Sequence, residues 1–196
     1  MVEMRSLGFD QQVEALAARG LGSAAELAEL LAAGRVPEQG PRSLLAWSRE
    51  TFPVEVASAR IEREGKPVVF GHMDPSEQPG YLPIEAVELP QAPAYQALDV
   101  DLGAASRNVR PEDALAAILA AGRSPLTLDE GIALVLQQPD AIAVNWGFSA
   151  AGSRRGDQRV PAFWISEGRP KLGWCWDRNP HTWLGTASCA GRVAAA

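Results

Sequence analysis

VPAFWISEGRPKLGWCWDRNPHTWLGTAS, residues Val160–Ser188, is the stretch whose reading decides the fold. Three runs in it, Val160–Ser166, Lys171–Trp176 and Trp183–Ser188, are rich in aromatic and branched residues and are parted by turn formers, the pattern of strands. Glu167-Gly168-Arg169-Pro170 predicts a tight connection and Asp177–Thr182 a longer one, so the stretch predicts a three-stranded antiparallel meander. Centring each turn sets Phe163 opposite Trp174, and Trp174 opposite Gly185. One face then carries Phe163, Ile165, Leu172, Trp174, Trp176 and Trp183 as a core face, with Gly185 leaving room for an indole. The other carries Trp164, Ser166, Cys175, Thr186 and Ser188 and is mixed. A slip of one residue would exchange the two faces.

Working upstream, Phe9, Val13, Leu16 and Ala17 recur at helical spacing as far as Gly20. Ser23 and Glu26 form a capping box that opens a second helix, Ala24–Ala33, closed by Gly34. The polar connector Gly34–Pro41 marks the expected boundary between an N-terminal helical appendage, residues 1–40, and a main domain, residues 41–196. Leu44–Ser48 and Pro67–His72 read as short strands, and the alternation from Tyr95 to Leu102 as another. Five prolines between Asp74 and Pro93 argue against long regular structure there. Pro111, Glu112 and Asp113 open a helix that Gly122 ends, and the Thr127/Glu130 capping box opens another that stops before Pro139. The expected class is therefore α+β: N-terminal helices, a mixed sheet, a central helix pair and a C-terminal three-stranded antiparallel meander.

Composition bounds the rest. No apolar run in the 196 residues approaches the ~20 that a membrane span needs. Met1–Phe9 has no apolar core of a secretory signal, so a soluble, cytoplasmic chain with no membrane partner is expected. Two cysteines, Cys175 and Cys189, build no disulfide framework and fit a reducing compartment. Residues 150–196 hold seven of the 18 basic and three of the 24 acidic side chains, a local balance of +4 against −10 elsewhere. The acidic whole disfavours nucleic-acid binding, whose affinity comes mainly from phosphate neutralisation. The basic end suits one anionic small molecule or, on the plainer reading, a solvated surface.

The meander would bring the loops Gly152–Asp157 and Asp177–His181 to one edge. There Arg154, Arg155, Arg178 and Asn179 would hold an anionic group, Trp164 would stack, and Cys175 and His181 would pair as nucleophile and base. Against this stand a solvated turn, a structural cysteine and a loop histidine fixed by Pro180. Zinc held by Cys175, His181 and Cys189 needs ligands closer than the register allows. The His72, Asp74, His181 order matches an iron facial triad, but so helical a chain lacks the strands that present one, and no cofactor is expected. Asp99 and Asp101 suit a solvent-facing strand, and Asp129 and Glu130 a helix start.

Gly122–Gly131, Gly152–Pro161 and above all Gly173–Cys189, with its GWCWDRNPHTWLGTASC run, resemble an uncharacterised family of actinobacterial proteins, a domain of unknown function. The resemblance covers most of the chain from Phe9 onward and implies that the C-terminal motif is one unit; it implies no activity, and His72-Met73-Asp74 departs from its pattern. The functional expectation is a domain that binds or transforms a small anionic ligand at the 152–159 and 177–182 loops. The alternative is a protein-interaction or scaffold module without an active site, its partner unspecified.

Overall fold

The computed structural model describes residues 2, 4–37 and 40–195. Its elements, in chain order, are helices α1 (Phe9–Ala18) and α2 (Ala24–Leu30), strand β1 (Leu44–Trp47), helix α3 (Val54–Ser58), strands β2 (Val69–Gly71) and β3 (Ala94–Leu98), helices α4 (Pro111–Ala120) and α5 (Leu128–Gln137), and strands β4 (Gly147–Ser149), β5 (Arg159–Ser166), β6 (Arg169–Trp176), β7 (Leu184–Thr186) and β8 (Gly191–Val193). The α+β class holds. Of the connector expected over Gly34–Pro41, residues 38 and 39 lie outside the described residues. No described helix is long and apolar enough to cross a membrane.

Helix α5 is the hub. Apolar on nearly every side, it is buried from Leu128 to Gln137, as a helix between two sheets must be. On one side lies the antiparallel sheet β1-β3-β8, onto which Gln137 reaches by donating from Nε2 to the Leu45 carbonyl at 2.7 Å. On the other lies the five-stranded sheet β7-β4-β5-β6-β2. Phe148 and Phe163 of this second sheet stack at 4.9 Å beneath the helix, where Gly131 has no Cβ to meet them. Helix α4 covers the outer face of the five-stranded sheet: Leu115 packs with Ala151, Val160, Ala162, Cys175 and Leu184. Phe9, Val13, Leu16, Leu27 and Leu31, within the expected appendage, are buried in the same core as α5 and β1, and Gln12 of α1 accepts a hydrogen bond from the Leu45 amide.

The C-terminal strands depart from the expected meander in two ways. First, Glu167 and Gly168 both have positive φ, 55° and 67°, so they alone make the turn, and Arg169 and Pro170 belong to the strand. A two-residue turn of this hand matches the twist of the strands it joins. The register therefore moves by two: Phe163 faces Leu172, and Trp174 faces Pro161. A shift of two leaves each side chain on its expected face. Second, the third strand does not follow the second. β7 pairs in parallel with β4, a strand absent from the sequence reading, at the far edge of the sheet. Residues 177–183 must cross the outer face to reach it. Gly185 consequently makes room for backbone, not for an indole: a Cβ there would press on the Leu102 and Gly103 carbonyls. Trp183, expected on the core face, lies instead on the outer face beside Trp164, Cys175 and Leu184.

Candidate functional site

The crossing segment makes a pocket against the outer face. Its anchors are local hydrogen bonds: Glu112 donates its amide to the Asp177 carbonyl (3.0 Å), Asn108 donates to that of His181 (2.9 Å), and the Arg107 side chain donates to that of Thr182 (2.7 Å). Between this strap and the sheet lies a pocket of about 240 Å³ lined by His72, Ala162, Trp164, Trp174, Cys175, Trp176, Asn179, His181 and Trp183. Both histidines of the protein and four of its six tryptophans meet there.

Each wall has a structural cause. Trp164 points outward from β5, and its indole lies over β6 and β2 because Gly173 and Gly71 present no side chain. A Cβ at Gly173 would come within 2.6 Å of the Trp164 Cη2, and one at Gly71 within 3.3 Å. The Trp183 ring stands 6.0 Å from that of Trp164 at 52°, and the His181 ring 5.0 Å from Trp183 at 41°. β2 ends at Gly71, opposite Gly173, so beyond that point β6 has no neighbour on this side. Trp174 and Trp176 stand past the end, their rings 4.7 Å apart, and the Trp174 Nε1 donates to the His72 carbonyl at 2.6 Å. Trp176 keeps 46% of its surface exposed. A smaller hollow of about 150 Å³ shares the Trp164 and Trp183 walls and adds Trp146, so five of the six indoles border these two hollows.

Among the described residues no Asp, Glu, Lys or Arg lines the main pocket. Burial lowers the pKa of His181, keeping its imidazole neutral at pH 7. Burial also pushes the Cys175 thiol up to about 12, so that only ~1 in 10⁵ is ionised at pH 7. A neutral thiol beside a neutral imidazole is not the activated pair that nucleophilic catalysis uses.

Of the residues singled out from sequence, Trp164, Cys175, Asn179 and His181 are brought together. Arg154, Arg155 and Arg178 are not in the lining. Arg154 is held inward by the Ala151 and Ser153 carbonyls, at 2.7 and 3.0 Å, and burial lowers its pKa. Arg155 is paired with Glu77, and Arg178 with Glu112 at 3.3 Å. The two loops do meet, through the Asp177 amide and the Gln158 carbonyl at 2.9 Å. Trp174, Trp176 and Trp183 join the pocket without having been singled out as site residues, crowding of indoles between Trp164 and Trp183 being their only signal; His72, weighed only as part of an iron triad, joins it too. The remaining acidic candidates serve the fold. Asp99 pairs with Arg123 and Arg42, Asp101 accepts from the Gly103 amide, Asp74 caps a short helical turn through the Ser76 amide, and Asp129 binds Arg49. Among the described residues no three His, Cys, Asp or Glu side chains are grouped to hold a metal.

Wider hollows exist, of about 600 Å³ beside Trp47 and Tyr95 and about 630 Å³ beside Arg192. Their arginines are already spent: Arg49 on Asp129 and the Pro79 and Tyr81 carbonyls, Arg192 on Glu130, Ser124 and Pro125. The first is walled largely by Leu30, Leu82, Leu89 and prolines, with Glu50 and Gln91 in its lining.

The Cys175 burial has a measurable consequence. The folded chain keeps a proton that the unfolded chain loses above about 9, so stability must fall as pH rises from about 9 towards 12. Between pH 8.5 and 10.5 the urea-unfolding free energy of the wild type should fall by ~2 kcal/mol more than that of Cys175→Ala. Parallel pH profiles for the two would show that the thiol is not buried.

A family model described as "Family of unknown function (DUF5701)" matches residues 4–195. No curated protein and no solved structure matches the chain.

Proposed function

The chain belongs to this family of unknown function, membership of which assigns no reaction, and we propose from its own geometry that it is a small-molecule-binding protein whose site is the tryptophan pocket. The observation that carries this reading is the convergence of both histidines and four indoles on one open pocket that no Asp, Glu, Lys or Arg of the described residues lines. Aromatic side chains on strands are ordinarily core, and the folding energy of this chain would favour burying them completely. Here the core beneath α5 is already filled by Phe148, Phe163 and Leu172; Trp164 and Trp183 stand half-buried on the outer face, Trp174 half-buried at the margin of that core, and Trp176 exposed. Trp164 and Trp183 supply contact area, and His72, His181 and Asn179 supply hydrogen bonds that orient the guest.

The guest is uncharged. The arginines that an anion would need face Glu77 and Glu112, and the pocket itself offers no cation. Cys175 forms floor, not nucleophile. The two free, buried cysteines support a reducing, cytoplasmic setting.

The test is a screen of uncharged fragments by tryptophan fluorescence and thermal shift, on wild type and Trp183→Ala. Binders are expected to raise the melting temperature of the wild type and to lose at least tenfold in affinity in Trp183→Ala. Binders that ignore Trp183→Ala, or an absence of binders alongside capture of a protein through the Trp176 surface, would replace this reading with that of an interaction module.

A further inference from the structure

We infer that the guest of the tryptophan pocket is a neutral saccharide, one ring in the main pocket and the next in the adjoining hollow across the Trp164/Trp183 ridge; this rests on the binding reading above. Three observations select the class.

The first is the angle between the walls. Trp164 and Trp183 are inclined by 52°, His181 and Trp183 by 41°, and Trp174 and Trp176 by 67°. None of these pairs is parallel, so a flat heteroaromatic ring cannot be sandwiched with both faces in contact. Inclined walls suit a body with C–H bonds pointing in several directions, which a pyranose chair presents to indole faces.

The second is charge. An aromatic cage also attracts ammonium groups. Here two cations already sit on neighbouring indoles: the Arg159 guanidinium 4.8 Å over Trp174 and that of Arg107 4.0 Å over Trp146. Those indole faces are thus already taken, and among the described residues no Asp or Glu lines the pocket to pair with a cationic guest. An anionic one finds no Lys or Arg among the described lining residues, and the nearby Arg159 is already engaged by Glu77 at 3.5 Å and Asp157 at 3.7 Å.

The third is the polar rim and the room. Asn179, the His181 imidazole that burial favours in its neutral form, and the His72 ring offer the donors and acceptors that hydroxyl groups require. A purely aliphatic guest would leave them unpaired. The main pocket, at about 240 Å³, falls below the ~300 Å³ at which pockets for drug-sized ligands begin, so it holds one ring-sized unit. The adjoining hollow, about 150 Å³, takes a second that is only partly enclosed, so affinity should grow with chain length.

The experiment follows the six indole N–H signals of the ¹⁵N-labelled full chain by NMR, each assigned by a Trp→Phe variant. The probes are maltohexaose, cellohexaose, xylohexaose and mannohexaose, with the matching monosaccharides, tetramethylammonium and uncharged 2-naphthol. At least one hexasaccharide is expected to move the Trp164 and Trp183 signals, to bind at least tenfold tighter than its monosaccharide, and to leave the buried Trp47 signal in place. If 2-naphthol or tetramethylammonium moves those two signals and no hexasaccharide does, the pocket stands as a binding site and the saccharide assignment is overturned. If no probe moves them, both readings fail.

Discussion

Arg192→Met is expected to lower the unfolding free energy by about 3–5 kcal/mol, a large share of what a domain of this size possesses. Arg192 and Glu130 form the most deeply buried ion pair of the described residues, with 3% and 0% of their side chains exposed. The guanidinium grips both carboxylate oxygens, Nε to Oε1 at 2.5 Å and NH2 to Oε2 at 2.8 Å, and donates to the Ser124 hydroxyl and the Pro125 carbonyl. Glu130 in turn accepts from the Tyr95 hydroxyl at 3.2 Å and from the Thr127 amide at 2.8 Å. One pair thus ties the C-terminal strand β8, the start of α5 and the central strand β3. Methionine fills similar space but strands the carboxylate away from water. The double variant Arg192→Met/Glu130→Met removes both charges and should recover most of the loss, short by the ~1 kcal/mol that the helix cap contributes. Urea unfolding of the three proteins checks this. Equal losses in the single and double variants would show that the charge pair is not what matters.

Half of that cluster was legible. Thr127 and Glu130 stand three apart before an apolar run, and local spacing is enough to announce a capping box. Nothing local announces that Glu130 also receives Arg192, 62 residues on, because tertiary partners leave no periodicity. The same divide runs through the site. Alternation put Trp164 and Cys175 on one face correctly even though the turn was misjudged, since a two-residue error in register preserves the faces. What alternation could not give is order in the sheet. β4 is three residues long, Gly147–Ser149, too short to show a period, and without it β7 had nowhere to go except beside β6. That one omission turned the crossing segment into a hairpin loop. It sent Trp183 to the wrong side; the arginines were lost to a separate cause, their pairing with Glu77, Glu112 and nearby carbonyls. The tryptophans were visible as a crowd; that Trp174 and Trp176 escape burial depends on where β2 stops, which is a fact about a different part of the chain.

Gly173→Ala joins these threads, and it is expected to cost about 3 kcal/mol of stability and to abolish ligand binding in the molecules that remain folded. Gly173 sits at the one point where β6, β2 and an indole converge. It pairs in parallel with Gly71, and a methyl group there would run into the Gly71 carbonyl on one side and the Trp164 Cη2, at 2.6 Å, on the other. Neither neighbour can yield freely. Moving the carbonyl parts β2 from the sheet and releases His72 and its carbonyl's hydrogen bond with Trp174. Moving the indole swings Trp164 off its platform and closes the pocket from within. Either route changes the environment of Trp164, so near-ultraviolet circular dichroism should lose intensity under conditions where the far-ultraviolet spectrum persists. Gly191→Ala is the control, because a Cβ at Gly191 meets nothing within 4 Å; it should stay within ~0.5 kcal/mol of the wild type and bind normally. If Gly173→Ala behaved like that control, the indole would not lie across the strand pair, and the wall on which both the binding site and its preference for inclined, uncharged rings depend would be missing.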